Sequence, residues 1–446
     1  MRKLFLEGGK LQYNLDVEAA LAQAEADVVL FASDYADEIR SKANIDYVTP
    51  EDVWKLEQEI HHDVMAMVLL LTKACQGGAG DYVHLGATSY DIEDNRLALQ
   101  MNAASYLVLE KLKQYGRYLL EKADEYKGLA AVGRSHGQWA EPITVGHKFA
   151  RYAYDASIDV QLWLDFLDKY LVGKPMTGAV GTSDSYVQLT DPDKACEIGE
   201  AAMKYLKLRP ALITDQAITR KMHALAGSNM MQTASSLTRF AWELWHLQRP
   251  EIGEMWERDY TKGKFVGSTA MPHKRNPINS ENIIALSRVI NRLAGTGYDN
   301  IPLLHETELT KSGSERIWIP TCYLLLDEIL SKGGFLANDS VVRTENVGRN
   351  LRKATPLTAS EPIMMELTKR GVGRQDAHHI LRDEYAQRLY EEPDLDPFDV
   401  LESISEVAER LSRDDIKRIF EKHEEYTGNS ERYVEDVIEE TSPIFS

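Results

Sequence analysis

Cysteine is scarce, and Cys75, Cys196 and Cys322 stand far apart in the chain. That spacing supplies neither a metal-ligand pair nor a disulfide framework, and it suits a reducing, cytoplasmic setting. Long apolar runs are missing as well. No window of about 18–20 apolar residues occurs, which excludes a helical membrane span. The opening stretch MRKLFLEGGK has only a short apolar run before Glu7 and does not read as a secretory leader. Positive charge is in deficit: 51 Lys and Arg stand against 70 Asp and Glu, a net charge of −19. Such a polyanion is repelled by nucleic acid and by acidic membrane surfaces, so neither is an expected partner. An anionic ligand would have to be met by cations gathered locally. Proline is absent between Pro50 and Pro142, which leaves that stretch free to form long helices.

With 446 residues, 43% of them hydrophobic and 27% charged, the chain has ample material for a core. Val17, Leu21, Ala24, Val28 and Phe31 recur at helical spacing. So do Leu97, Met101, Ala104, Val108, Leu112, Tyr115 and Leu119, and again Met230, Ala234, Leu237, Ala241 and Leu244 ahead of Pro250. Period-two alternation is nearly absent, and the expected class is all-α with a central bundle of long helices. Turn-rich YVHLGATSYD (82–91) and a break near Gly333–Asn338 divide the chain. They give an N-terminal helical domain over 1–88, a central bundle over 89–338 and a C-terminal helical domain over 339–446. The tail carries PDLDP (393–397), a helix-breaking loop. The stretch 152–171 has apolar residues beyond one stripe, which predicts burial against other subunits.

Several segments carry polar chemistry. TKGKFVGSTAMPHKRNPINS (261–280) holds Lys262, Lys264, Lys274 and Arg275 and no acid. Its glycines and prolines predict a loop, and its Gly-Ser-Thr turn offers N–H groups and hydroxyls to an oxyanion. The bland alternative is an exposed basic linker. GRSHGQWAEPITVG (133–146) places His136 in a turn, either as a proton donor or as a histidine satisfied locally. HLGATS (84–89) puts hydroxyls before a helix, suited to an anion or to plain capping by Ser89 or Asp91. His61-His62-Asp63 lies on a helical pattern, where adjacent residues face apart; a histidine oriented by a carboxylate is favoured over metal. SGSER (312–316) suits either a phosphate clasp or a helix start. Distributed islands of this kind predict a site assembled at helix ends.

GSTAMPHKRNP (267–277) resembles the signature loop of the fumarase/aspartase superfamily, and its His-Lys-Arg-Asn-Pro portion is similar to the adenylosuccinate lyase family. EIHHDVMAMV (59–68), HLGATSYDIEDN, GRSHGQWAEP and SGSERIWIP resemble that family's other blocks, in order and over nearly the whole chain. The resemblance implies a helical three-domain subunit in a homotetramer, each active site drawing on three subunits. It implies cleavage of adenylosuccinate to AMP and fumarate, and of the succinylated carboxamide intermediate SAICAR, with no metal or organic cofactor. It assigns Ser268 as catalytic base, His136 as general acid and Glu281 as the partner of that histidine. Lys274 and Asn276, with Thr88 and Ser89, would hold the succinyl carboxylates. His62, Asp63, His84 and Gln216 would be further substrate contacts, in a binding set that also takes in His61, Thr269 and Arg275. Ser312, Gly313, Ser314, Glu315 and Arg316 would form the phosphate-binding turn.

The reaction implied by the resemblance explains the residue types. Removing a proton beside a carboxylate builds a second negative charge, which fixed donors must stabilise. A serine serves as base only in a concentrated positive field with water excluded, and the acid-free loop meets the first condition. Three departures stand out. Thr269 follows Ser268 where serine is frequent, and Asn95 follows Asp94 where threonine is common. The family's N-terminal Arg-Tyr pair is not matched by Arg2 and Tyr13, so the start is truncated, another group replaces the pair, or nucleotide binding is weakened. The alternatives are another superfamily lyase or cycloisomerase acting on a different succinyl or carboxymuconate substrate, and a non-catalytic helical scaffold.

Overall fold

The structure, a computed structural model, describes residues 1–446. Helices dominate it. The longest are Glu7–Asp27, Ser89–Glu125, Val145–Asp165, Lys221–Leu247, Ile278–Leu293, Thr310–Asp339 and Ser430–Phe445. The residues of the periodic stripes from Val17 to Leu244 are all buried, so the apolar spacing reports the inward face of each helix. No helix is long and apolar enough to cross a membrane.

The chain divides into two compact units. One comprises Met1–Leu112, Asp159–Ser235 and Ala285–Ser331; the other comprises Lys113–Ile158, Ser236–Ile284 and Lys332–Ser446. In the first, the Glu7–Asp27 helix packs on Ser33–Lys42 and Pro192–Leu206. Trp163, Trp318 and Tyr323 are buried within this unit. Two of their polar atoms are satisfied there: Trp163 Nε1 donates to Thr233 Oγ1 at 3.1 Å, and the Tyr323 hydroxyl pairs with Ser105 at 2.8 Å. In the second unit, Tyr115, Phe149, Tyr152 and Phe240 form an aromatic cluster. A separate core of Ile363, Leu367, Leu381, Tyr385, Leu401 and Ile416 holds the C-terminal helices.

The mostly helical class holds, and two local expectations, at Gly333–Asn338 and at residues 61–63, are corrected. The helical set is interrupted by an antiparallel hairpin, Ala130–Ser135 with Gln138–Thr144, and by the short pair Met255–Trp256 with Val341–Val342. The hairpin buries Val132 against Leu351 and Ala354. It has a register shift after Val132, where a side chain on Gly133 would collide with the Glu141 carbonyl. The break expected near Gly333–Asn338 is absent, because the helix runs on to Asp339. Gly333 is there for close packing: a Cβ would lie 2.5 Å from the Leu237 side chain. Residues 61–63 are not within one helix. Pro50–Ile60 ends at His61, which is left-handed, and His62 caps Asp63–Ala74 by accepting from Met65 N at 3.2 Å. Residues 312–316 form the first turns of Thr310–Asp339, the helix start that the sequence left open beside a phosphate clasp. The expected loop at PDLDP is present, and Asp396 caps the helix that begins at Pro397.

Candidate active site

Residues 261–277 carry no helix or strand, and the Ile278–Leu293 helix starts within the expected loop. Its C-terminal half rests on buried polar groups. Gln248 Nε2 donates to the Arg275 carbonyl at 3.0 Å and to the Tyr260 hydroxyl at 3.1 Å, and that hydroxyl donates to the Asn276 carbonyl at 3.2 Å. The buried Glu257 carboxylate accepts from the N–H groups of Asn279 and Ser280, capping the helix that carries Glu281. The Arg275 guanidinium lies over the rings of Trp256 and Tyr260, 4.7 and 5.6 Å from their centroids.

This platform folds the loop back on itself. A Cβ on Gly267 would collide with the Lys274 carbonyl, so only glycine permits this approach. Asn276 Nδ2 donates to the Gly267 carbonyl at 2.8 Å. Ser268 therefore sits beside the 274–276 segment although five residues separate it from Lys274. Its Oγ accepts from the N–H groups of Ala270 and Met271 at 3.2 and 3.0 Å. Two main-chain dipoles thus point at this hydroxyl oxygen. Thr269 and Lys274 are exposed and Ser268 is half-buried. A cavity of about 580 Å³ is lined by Trp245, His273, Lys274, Arg275, Asn276 and Glu281, among others. Glu281 Oε1 accepts from Trp245 Nε1 at 3.4 Å.

His136 stands at the tip of the hairpin. Ser135 pairs with Gln138, and the two turn residues His136 and Gly137 both have positive φ, 52° and 76°. The ring is exposed and forms no hydrogen bond within the chain, so it is not the locally satisfied histidine that sequence left open. The hairpin is held from below: Arg134 makes a two-pronged contact with Glu254 at 3.0 and 2.5 Å, and Asn350 Nδ2 donates to the same carboxylate at 2.9 Å. No hydrogen bond joins His136 to Glu281 within one chain.

The remaining candidates belong to the first unit. Asp91 caps the Ser89–Glu125 helix by accepting from Thr88 N at 2.9 Å, and it pairs at 2.5 Å with the fully buried Lys174. The Thr88 N–H is thereby taken, and its hydroxyl remains for a ligand. Asn95, the departure noted above, makes three bonds to fix this helix start. It accepts from Lys174 N and donates to the Lys174 and Asp91 carbonyls, each at 2.8 Å. Threonine has no amide with which to do so. Ser89 Oγ lies 3.4 Å from His62 Nε2, and His84 Nδ1 lies 2.7 Å from Glu18 Oε1. Asp63 faces Lys10 at 3.4 Å and Arg316 at 3.5 Å; burial would raise its carboxyl, but these cations and the Val64 N–H hold it below the usual range. His61 is exposed at its helix junction, and the Gln216 N–H donates to the Glu306 carbonyl at 3.1 Å. No group of three or more His, Cys, Asp or Glu side chains is arranged to hold a metal ion.

Within 312–316 the side chains divide. Ser312 and Arg316 line a cavity of about 200 Å³ with Lys10, Tyr90, Glu93 and Arg96. Gly313 leaves open space at its Cα, and Ser314 donates to Asn300 Oδ1 at 3.0 Å. The Glu315 carboxylate is committed to protein partners: it pairs with His223 at 3.0 Å and Arg220 at 3.1 Å, and Arg220 also binds Asp94 at 2.9 Å. Burial would raise the Glu315 carboxyl, but His223, Arg220 and Lys311 hold it down at about 2. Sequence reasoning did not single out Glu18, Lys174, Gln248, Glu257 or Tyr260. For Glu18 the available signal was a polar residue at a buried helical position between Leu15 and Leu21; the other four lie outside helices, where periodicity gives no signal.

Residues 3–291 match the family described as Lyase, and residues 356–437 match that described as Adenylosuccinate lyase C-terminus. The chain is 39% identical over 439 residues to the adenylosuccinate lyase of Methanocaldococcus jannaschii, covering 98% of this chain and 93% of that protein. It is 38% identical over 439 residues to the adenylosuccinate lyase of Pyrococcus horikoshii, covering 98% and 95%. Its structure matches the 3-carboxy-cis,cis-muconate lactonizing enzyme of Pseudomonas putida with a TM-score of 0.88 at 27% identity, covering 100% of this chain and 97% of that one. The fold is that of a fumarase/aspartase-superfamily lyase. Within it, the chain belongs to the adenylosuccinate lyase family.

Proposed function

We propose that this chain cleaves adenylosuccinate to AMP and fumarate, and SAICAR to its carboxamide and fumarate, by anti β-elimination. The observation that carries the reading is the Ser268 oxygen, which accepts from two main-chain N–H groups in a loop folded against Lys274 and Asn276. An oxygen already receiving two hydrogen bonds favours its anionic form, and Lys274 and Arg275 add positive charge from a loop that itself carries no acid. As alkoxide, Ser268 takes the proton from the carbon beside the succinyl carboxylate. The electron pair moves onto that carboxylate, where Lys274 and the second N–H of Asn276 stabilise it. Collapse of this aci-carboxylate forms the fumarate double bond and breaks the C–N bond. His136 supplies the proton to the departing nitrogen, oriented by Glu281.

The functional chain is a homotetramer in this reading, with sites shared between subunits. Two observations support it. Apolar side chains stand exposed along the long helices, Tyr154, Ile158, Trp242 and Ile317 among them. His136 and Glu281, assigned as partners, make no bond to each other within one chain. The greater identity to adenylosuccinate lyases than to the lactonizing enzyme disfavours a cycloisomerase.

The test supplies adenylosuccinate, SAICAR and 3-carboxymuconate to the purified full chain. Equimolar fumarate and AMP from the first is expected. A folded oligomer that forms no fumarate from either succinylated substrate would sink the reading.

A further inference from the structure

The Glu7–Asp27 helix buries two carboxyl groups on one side, Glu18 and Glu25, seven residues and therefore two turns apart. Isolated acids are rarely buried without partners. Glu18 has one: its Oε1 lies 2.7 Å from Nδ1 of His84, whose side chain is 16% exposed while that of Glu18 is 1% exposed. Glu25 is fully buried and neither of its oxygens has a hydrogen-bond partner. Burial, with Glu18 alike in charge, pushes the Glu25 carboxyl well above its ordinary range. Burial thus disfavours charge on Glu25, and Glu18 is the acid of the pair that faces the imidazole.

The turn that carries His84 is fixed around this contact. His84 has φ of 62°, which an imidazole adopts only when its surroundings hold it there. The buried ring of Tyr186 fills the space beside Gly86, where a Cβ would lie 2.7 Å from it. The charged groups that act on His84 are Glu18 from the Glu7–Asp27 helix and Asp91, which pairs with Lys174, while the Tyr186 hydroxyl is influenced by Glu25, Asp91 and Glu18. Burial would lower the His84 pKa; the charge and hydrogen bond of Glu18, with Asp91, outweigh it and raise it. With Nδ1 engaged by a carboxylate, Nε2 is an acceptor in the neutral ring and a donor in the cation.

We propose that Glu18 is a positioning residue that fixes the ring of His84 and keeps it cationic, so that Nε2–H donates to an anionic group of the substrate. This rests on the proposed function and on His84 being one of the substrate contacts that the family resemblance implies. The carboxylate and phosphate ends of the substrate share the required chemistry, and the probes below separate them.

The test follows the pH dependence of KM and kcat for Glu18→Gln and Glu25→Gln beside the unmodified chain. It also measures calorimetric affinity for fumarate and for inorganic phosphate across the same pH range. In Glu18→Gln, tight binding should be lost at a pH lower by about one unit, with kcat at low pH largely kept. Glu25→Gln should leave that limb in place, which a merely structural disturbance of the cluster would not. The probe whose affinity follows the limb identifies the group that His84 holds. If Glu18→Gln does not assemble, Glu18→Asp, with charge retained and reach shortened, should move the limb the same way by less. A limb unmoved in KM and in both affinities would overturn the role of Glu18. An unmodified chain that binds the probes but forms no fumarate would instead reject the catalytic reading.

Discussion

Two side chains show how far a residue's surroundings set its chemistry. Ser268 receives two N–H groups and stands in a loop without acids. Ser268→Ala removes the proposed base while leaving both N–H groups and the loop contacts of Gly267, so kcat should fall by about 10²–10⁴-fold with the fold intact. A steady-state assay on the folded variant checks this, and near-native kcat would reassign the base. Glu25 shows the reverse. Burial raises its pKa above the ordinary carboxyl value of 4.5, so the unfolded chain gives up this proton first as pH climbs. The stability present below that value then declines until the folded group also ionises, by at most about 1.4 kcal/mol per pH unit. Glu25→Gln abolishes this component, and urea unfolding of the two proteins between pH 5 and 8 should show a shallower decline for the variant. Neither environment was readable from the chain. The signature loop announced Ser268 through composition, but its two N–H donors depend on loop geometry. Glu25 appeared only as a polar residue within an apolar stripe.

At the scale of elements, helices were legible because burial on one face imposes a period, and the residues counted as stripes are those found buried. The hairpin of residues 130–144 was missed. Its strands are short, contain Pro142 and Gly133, and are partly exposed, so alternation never develops. The turn at its tip was nonetheless visible, since His-Gly between small and polar residues is a turn in either fold. Gly333 misled because glycine breaks helices by propensity, whereas here a neighbouring side chain occupies the space of its Cβ. The same reasoning makes Gly267 a test of the loop. Alanine there collides with the Lys274 carbonyl and must push the Ser268 and Lys274 arms apart. The loop is largely exposed and contributes little to any core, so Gly267→Ala should leave thermal stability within about 0.5 kcal/mol of native. Its kcat should fall by about 10²-fold, the cost of misplacing a reacting group by an ångström. Native kcat in this variant would show that the Gly267–Lys274 approach has no part in turnover.

For the whole molecule, the question is what completes the site. His84, Thr88 and Ser89 belong to one compact unit of the chain, and His136, Ser268, Lys274 and Glu281 to the other. The Glu281 carboxylate accepts from Trp245, and the His136 ring has no hydrogen-bond partner in its own chain. In the proposed tetramer, the exposed apolar side chains on the long helices are the surface that partner subunits would cover. If acid and base are supplied by different subunits, an inactive Ser268→Ala chain and an inactive His136→Ala chain can repair one another. A mixed tetramer then contains some sites that draw the intact serine from one chain and the intact histidine from the other. Dissociating the two variants together in mild denaturant and reassociating them should therefore produce fumarate-forming activity that neither regains alone. Subunit exchange is verified by differential tags and native mass spectrometry. Verified hybrids without activity would mean that each site takes its serine and histidine from one chain. Loop and hairpin of the same subunit would then have to approach one another in the substrate complex.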